Sequence, residues 1–368
     1  MSALRERSEK SVEPLELFFD LVFVFALTQV TARLSDDLSW GGLLRGLLVL
    51  AAIWWAWAAY AWLTNEVDTR SRNVRLVIFA SMAFMLLASL AIPGAFEGDA
   101  LLFALAYLGV RLAHIGLFAA GTDDVDVRQA ARALAGTAVT APLLLIVAAA
   151  FHGAAQEAIW IAALVIDYVG GALRGIEGWR LSPGHFAERH SLIVIIALGE
   201  SIVAIGVGAE GVDLDAGALA AATLGIALSA ALWWTYFDGA LDRVEERLLA
   251  LSGRARNTTA RDSFSFLHLP LVAGIVLLAL GVKKTLEHVD EPLQVIAAVG
   301  LCGGVALYFA ADVAFRRRCL GLFDSQRLVA AAAALLMLPL AVELPALAAL
   351  ACVCAVAALL VGYETLRA

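Results

Sequence analysis

The sequence is poor in charge. Only 16% of its 368 residues are Asp, Glu, Lys or Arg, whereas 62% are hydrophobic, and both values depart from those of an ordinary water-soluble domain. This scarcity excludes a soluble globular protein. The sequence also lacks a basic stripe with interleaved aromatic residues, which excludes a nucleic-acid-binding protein. We therefore predict an integral membrane protein whose main partner is the lipid bilayer.

Cysteines are few and catalytic motifs are lacking. The four cysteines have neither metal-ligand spacing nor the pattern of a disulfide framework, so we predict neither a metal nor another cofactor and assign them to packing. We recognise no nucleophile motif, phosphate-binding loop or zinc-binding His-x-Glu or Glu-x-x-His spacing. The lack of these motifs argues against an enzyme. An intramembrane enzyme that uses His114, Glu200 or Asp20 as acid and base stays an alternative, as does a role in adapting the membrane to stress.

Long apolar runs dominate what is present. A helix needs about 20 apolar residues to cross a bilayer, and the chain supplies twelve candidate spans, which cover residues 15–34, 41–63, 74–92, 99–120, 133–151, 156–173, 190–209, 216–238, 264–282, 292–312, 326–342 and 345–363. The charged segment 1–14 lacks the features of a cleaved signal peptide, so we interpret it as a cytoplasmic tail. The sequence predicts an all-α integral membrane protein with about 12 transmembrane helices.

Basic residues alternate with these spans. All but five of the 26 Lys and Arg residues precede span 1, follow an even-numbered span or end the chain; the exceptions are Arg33, Arg45, Lys283 and Lys284, which fall on the opposite side, and Arg111, which lies inside span 4. Because basic residues concentrate on the cytoplasmic side of membrane proteins, we predict that both termini are cytoplasmic.

The two halves of the chain are similar. The segment Asp20–Gln29 aligns without a gap with Ser191–Glu200, and a Trp-Trp pair occurs in each of spans 2 and 8. Each half contains an even number of spans, so the two halves insert in the same orientation. We predict a single membrane domain built from two parallel six-helix repeats, residues 15–180 and 181–368. The tryptophans are assigned to packing and to the membrane interface.

Three ionisable residues fall deep inside apolar spans. Counting about 1.5 Å per helical residue places Arg111 of span 4, Asp167 of span 6 and Glu200 of span 7 near the middle of the bilayer. Charged groups at that depth are costly and are normally paired, and the guanidinium of Arg111 can pair with Glu200, Asp167 or both. We predict a midplane cluster that binds a substrate or ion. The alternative is a buried charge pair that only fixes helix register.

Other polar residues lead from the cytoplasmic side toward this cluster. His114 shares a helix face with Arg111, and His268 is expected about one turn into span 9. Asp20 forms a stripe with Glu16, a residue that also suits the first turn of a helix. His190 is expected at the cytoplasmic start of span 7. The candidate residues for substrate binding, ion binding or gating are Glu200, Arg111, Asp167, Asp20, His114, Ser201, Gln29, His190, Arg189, Glu188, Glu16 and His268.

Two sequence blocks, residues 16–27 and 185–205, resemble the bacterial low temperature requirement protein A (LtrA) family, and Arg111-Leu-Ala-His114 and the region of His268 and Pro270 are similar as well. The resemblance implies a multi-pass protein of the bacterial cytoplasmic (inner) membrane without an established substrate. It marks as signature positions Glu16, Phe19, Asp20, Arg111, His114, Glu188, Arg189, His190, Glu200 and Ser201.

Transport is the function that these features favour. We expect a secondary transporter of a small solute or ion, coupled to protons, because transporters bind their substrates near the midplane at the interface of repeats. An ion channel with a pore between the repeats, lined by Asp20, Gln29 and Glu200, is the alternative. A homo-oligomer is a possible assembly.

Overall fold

A computed structural model describes residues 11–120, 125–173, 179–238 and 241–367 of the chain. In these ranges the chain is built of helices joined by short connections, and its extended pairing is limited to an isolated bridge between Pro292 and Pro345. The prediction of an all-α membrane protein is therefore confirmed. Residues 1–10 of the predicted cytoplasmic tail lie outside the described part of the chain.

The first half of the chain contains six helices. They are α1 (Pro14–Asp36), α2 (Trp40–Glu66), α3 (Arg72–Leu90), α4 (Ala100–Ala120), α5 (Val125–Ala148) and α6 (Ala154–Leu173).

The second half is more interrupted. Its elements are α7 (Pro183–Gly208), α8 (Ala216–Phe237), α9 (Leu241–Ala250), α10 (Gly253–Ala260), a π-helical segment (Arg261–Phe266), α11 (His268–Glu287), α12 (Val295–Ala298), a second π-helical segment (Val299–Gly303), α13 (Gly304–Leu320), α14 (Ser325–Leu336), α15 (Leu338–Ala341) and α16 (Ala346–Thr365).

Ten helices of the described chain are long and apolar enough to cross a membrane. The apolar helices Leu134–Ala148 and Ser325–Ala341 are shorter, and they fall where the fifth and eleventh spans are predicted, so the count of twelve spans stays a prediction. Large apolar side chains are exposed on the helices, among them Leu336 at 70% and Leu359 at 74%. Apolar surface of this kind is suited to contact with lipid tails.

Two predicted helix boundaries are wrong. Span 7 was expected from residue 190, but α7 begins at Pro183, a residue type that suits the first helical position. His190 therefore lies two turns inside α7 instead of at its start. Span 9 was expected from residue 264, yet α10, the π-helical segment and α11 form one helical stretch from Gly253 to Glu287, and His268 is the first residue of α11. In both cases buried polar residues extend the helix beyond the apolar run.

The chain divides into two compact units. The first contains the residues up to Val30, Leu44–Ser191 and Leu248–Arg261; the second contains Thr31–Leu43, Leu192–Arg247 and Asp262–Ala368.

A tyrosine ties two helices together in the core of each unit. In the first unit Tyr107 of α4 donates to the carbonyl oxygen of Ala52 on α2 over 3.1 Å. In the second, Tyr308 of α13 donates to the carbonyl oxygen of Leu232 on α8 over 2.7 Å. The predicted repeat relates α2 to α8 and α4 to α13, so the two bonds join corresponding helices. The repeat itself stays a prediction.

Glycines allow close packing in the second unit. A Cβ atom on Gly274 would lie 2.7 Å from the carbonyl oxygen of Gly304, and one on Gly281 would lie 2.5 Å from the backbone nitrogen of Leu301. The backbone of α11 therefore packs directly against α13 and the π-helical segment before it, as small residues permit in membrane helices.

Candidate functional site

Arg111 and Asp167 form a buried ion pair in the first unit. Nη2 of Arg111 on α4 lies 2.8 Å from Oδ1 of Asp167 on α6, and each side chain is only 3% exposed. Nε of Arg111 also donates to the carbonyl oxygen of Ala138 on α5 over 3.5 Å. We expected Arg111 to pair with Asp167, Glu200 or both. In the structure Arg111 pairs with Asp167. We refer to Arg111 and Asp167 as the central pair.

The central pair leaves hydrogen-bonding capacity unused. Nη1 of Arg111 is buried and has no hydrogen-bond partner among the residues that the structure describes. An unmet donor on a buried charged group costs free energy, on the order of 1–3 kcal/mol or more. The guanidinium is therefore able to bind an acceptor atom of a ligand without giving up Asp167.

His114 lies one turn after Arg111 on α4 and is buried. Its Nε2 lies 3.1 Å from the carbonyl oxygen of Ala59 on α2, and because a carbonyl oxygen only accepts hydrogen bonds, Nε2 carries the hydrogen. Nδ1 then presents a lone pair, and within the described chain no group bonds to it. The imidazole packs against the rings of Tyr60 and Phe118, with centroids 5.4 and 4.9 Å away. His114 thus offers a buried proton acceptor near Arg111.

A second buried cluster joins α1 to α7. It consists of Glu16, Asp20, His185 and Arg189, which we call the quartet, and its four side chains are at most 1% exposed. The two acidic residues are four apart on α1, and His185 and Arg189 are four apart on α7, so each pair occupies one helix face. The two faces meet with opposite charges.

Each acidic residue of the quartet has its own partner. Nε2 of His185 lies 3.0 and 2.9 Å from the two carboxylate oxygens of Glu16. Nη1 of Arg189 donates to Oδ2 of Asp20 over 2.6 Å, and Nε of Arg189 lies 3.9 Å from Oε1 of Glu16. Glu16 also accepts a hydrogen bond of 2.8 Å from the backbone nitrogen of Glu13, so it caps the start of α1 as well, as the sequence suggested.

Trp57 completes the surroundings of Asp20. Its indole nitrogen donates to Oδ1 of Asp20 over 2.9 Å, and the Arg189 guanidinium lies over its ring at 5.6 Å. His190 packs edge-on against the same ring at 4.9 Å, and its Nδ1 lies 2.9 Å from the carbonyl oxygen of Phe186. From the sequence we assigned Trp57 to packing and to the membrane interface, but the side chain also fixes the carboxylate of Asp20.

The other candidates are more dispersed. Glu188 is exposed, and one of its oxygens accepts a hydrogen bond from the backbone nitrogen of Val12 over 3.1 Å. Gln29 is half-buried on α1. Glu200 and Ser201 are buried on the part of α7 that belongs to the second unit. The membership of Glu200 in a cluster with the central pair stays a prediction.

His268 is a hydrogen-bonded core residue of the second unit. Its Nε2 lies 2.8 Å from the hydroxyl oxygen of Tyr236, and its Nδ1 lies 2.9 Å from the carbonyl oxygen of Ser263. Both ring nitrogens are therefore used within the fold. His114 belongs to the first unit, and a joint role of His268 and His114 stays a prediction.

We did not predict one buried charge network of the second unit from the sequence. Arg327 binds both oxygens of Glu364 at 2.8 Å and also contacts Asp312. Arg316 donates to Asp312 over 3.1 Å, and both arginines donate to the carbonyl oxygen of Thr235. Arg316 was assigned only to the charge bias of the cytoplasmic side. The four-residue spacing of Asp312 and Arg316 is the signal that could have identified it.

The chain matches a family model described as bacterial low temperature requirement A protein (LtrA) over residues 11–362. It is also 33% identical over 318 residues to an uncharacterized protein, RA0937, of Rhizobium meliloti (strain 1021), an alignment that covers 82% of this chain and 76% of the relative. The matched region includes both the central pair and the quartet.

Proposed function

Since the chain belongs to the bacterial low temperature requirement A (LtrA) family of membrane proteins, we propose that it is a secondary transporter that moves a small solute or ion, coupled to protons. The observation that carries this proposal is the central pair, in which the buried Arg111 has an unmet donor at Nη1. Ionisable groups inside membrane spans are expensive to bury and usually mark a substrate, ion or proton pathway.

The central pair supplies a way to bind and release a solute. Asp167 compensates the charge of Arg111 when no solute is bound, so the site is neutral. A solute with an acceptor oxygen binds Nη1, and its own charge weakens the attraction between the guanidinium and Asp167. Because the Arg111–Asp167 bond holds α4 to α6, weakening it favours a different arrangement of these helices, which is the kind of two-state element that transport requires.

His114 supplies a site for the coupling proton beside this pair. Protonation of its Nδ1 would add a positive charge near Arg111, and because Asp167 already compensates Arg111, this charge would be compensated by an anionic solute. A solute that carries negative charge would therefore enter together with a proton. This arrangement favours symport of an oxyanion, such as a carboxylate, with a proton.

The contacts of Asp20 favour a transporter over a channel. The channel alternative requires the carboxylate of Asp20 to line a hydrated pore. Both of its oxygens already accept hydrogen bonds, from Trp57 and Arg189, and the side chain is 0% exposed. A carboxylate that is bound on both oxygens in a buried cluster is poorly suited to conducting ions.

The location in the membrane is part of the same proposal. We place the chain in the bacterial cytoplasmic membrane with both termini on the cytoplasmic side, on the support of the family and of the distribution of basic residues. Transport then runs between the cytoplasm and the opposite side of that membrane.

Flux measurements with the purified protein in liposomes test the proposal. A pH-sensitive dye inside the liposomes reports proton movement when sodium, potassium, chloride, and each member of a panel of carboxylates and amino acids is added outside. We expect at least one solute to drive proton movement through the native protein. Arg111→Gln should lower the rate about tenfold or more, because a hydrogen bond to a charged group contributes about 1.5–3 kcal/mol.

A second ion pair between the helix bearing Asp167 and a neighbour provides the control. Arg45 of α2 and Glu157 of α6 lie 3.5 Å apart, but their side chains are 27% and 21% exposed. Arg45→Gln and Glu157→Gln should retain native transport, whereas Arg111→Gln and Asp167→Asn should not. A native protein that is silent toward the whole panel, or an Arg111→Gln variant that transports as well as the native protein, contradicts the proposal.

A further inference from the structure

The quartet has an unbalanced charge. Glu16 and Asp20 contribute two negative charges and Arg189 contributes one positive charge, so the balance depends on His185. With a neutral His185 the four buried side chains carry one net negative charge; with one additional proton they carry none. Uncompensated buried charge is unfavourable. One additional proton therefore favours the packed quartet.

Among the residues that the structure describes, the neighbouring charges do not supply the missing positive charge. Glu13 of α1 is paired with Arg70, whose side chain is 76% exposed, so these two charges cancel at the surface. Glu188 of α7 is exposed and adds a negative charge. Trp57 of α2 contacts the quartet through its indole, which is neutral. His190, also on α7, has one ring nitrogen beside a carbonyl oxygen.

Geometry places the proton on the His185–Glu16 pair. Asp20 already accepts an N–H group on each oxygen. Nε2 of His185 faces both oxygens of Glu16 within 3.0 Å. Nδ1 of His185 is buried and bonds to no other described residue. With Nε2 committed to the carboxylate, Nδ1 is the atom at which a proton is added or removed.

We propose that the quartet is a proton-binding site, in which the His185–Glu16 pair takes up and releases one proton while the Asp20–Arg189 pair holds α1 to α7. This inference deepens the proposed function, on which its role in coupling rests. One proton adds at Nδ1 from one side of the membrane, and the same proton leaves from Nδ1 toward the other, so charge and atoms balance over a cycle.

Loss of the proton favours opening of the quartet. The remaining negative charge is relieved when water reaches Glu16 or when the first turns of α1 and α7 separate. Both are continuous helices, so a separation of their first turns displaces later turns as well. Proton release and helix movement are coupled in this way, which is the requirement for a proton to drive transport.

Nitrogen NMR of the full-length protein in nanodiscs, labelled with ¹⁵N-histidine, tests the site directly. The His185 signal is identified by its absence in His185→Gln. We expect this signal to change from the protonated to the neutral imidazole as pH rises. Glu16→Gln should shift this change to lower pH, because the negative charge that favours the protonated ring is removed. If Glu16→Gln does not fold, Glu13→Gln, which alters the surface pair with Arg70, provides a folded comparison in which the titration of His185 persists.

An exposed pair of the same residue types is the matched control. His288 and Glu291 lie 3.9 Å apart with side chains 63% and 75% exposed, and Glu291→Gln should leave the His185 signal unchanged. A His185 ring that stays in one protonation state over the whole range in which the protein is folded, or that responds equally to Glu16→Gln and Glu291→Gln, overturns the inference. Because titration is measured without flux, silent liposomes with an intact titration contradict the transporter alone.

Discussion

Arg189 donates from Nη1 to Oδ2 of Asp20 over 2.6 Å, and neither side chain is exposed to solvent. The two residues are 169 positions apart in the chain, on α7 and α1, which are the first helices of the two predicted repeats. A contact between opposite charges at such separation organises the fold, since each side chain alone would be an uncompensated buried charge.

Removing the charge of one partner in the Asp20–Arg189 pair should destabilise the protein. We expect Asp20→Asn to lower the free energy of unfolding by about 3–5 kcal/mol, because it leaves the charge of Arg189 buried without its partner. Unfolding of the purified protein in mixed micelles, monitored by circular dichroism, measures the effect. The surface variant Arg70→Gln removes an arginine from the exposed pair with Glu13 and should change stability by less than about 0.5 kcal/mol. Equal effects of the two variants would argue against a buried pair.

Replacing Trp57 with Phe removes its hydrogen bond to Asp20 together with part of its packing. Trp57→Phe keeps an aromatic ring, but Oδ1 of Asp20 loses its donor, so we expect a cost of at least about 1–3 kcal/mol. The same substitution at Trp234, whose ring is 42% exposed, should cost less. Chemical denaturation of the two variants compares them. A Trp57→Phe variant as stable as the native protein would show that Asp20 does not depend on the indole.

The charge network of the second unit is expected to act only on stability. Arg327→Gln removes both bonds to Glu364 and the contact with Asp312, and we expect a loss of about 3–5 kcal/mol. Arg317→Gln is the control, because Arg317 is exposed on the same part of the chain. The His185 titration should be unchanged in both variants. An altered titration in Arg327→Gln would mean that the network takes part in proton binding.

Reporter fusions test the predicted orientation in the membrane. A fluorescent protein that matures only in the cytoplasm should be bright when fused after Arg367, and alkaline phosphatase fused there should be inactive. Phosphatase inserted after Asp213, in the connection between α7 and α8, should be active because this connection is predicted on the opposite side. The reverse pattern at either position would contradict both the orientation and the count of twelve spans.

Sequence reasoning found the central pair because depth can be counted along an apolar helix. Arg111 and Asp167 each interrupt a run of hydrophobic residues, and counting from the start of each span brings them to one level. The same method misplaced the start of α7, since hydropathy falls where His185 and Arg189 occur. These two residues are polar but buried, and only the fold shows that their partners are on α1.

The sequence contains a spacing pattern that could have predicted the quartet. Glu16 and Asp20 are four residues apart, and so are His185 and Arg189, a complementary spacing that predicts two helix faces able to pair. Which helices meet depends on tertiary packing, which no local pattern determines. The position of Trp57 against Asp20 has the same origin, because it depends on how α2 packs against α1.

Uptake of a radiolabelled solute into liposomes under an imposed proton gradient tests the central claim most directly. For a solute found in the liposome panel, a gradient that is acid outside should drive uptake by the native protein and by Arg45→Gln. The rate of uptake should be about tenfold lower or absent in Arg111→Gln, which lacks the donor that binds the solute. Equal uptake by Arg111→Gln and Arg45→Gln would contradict the account, because the central pair would then serve only to hold α4 and α6 together.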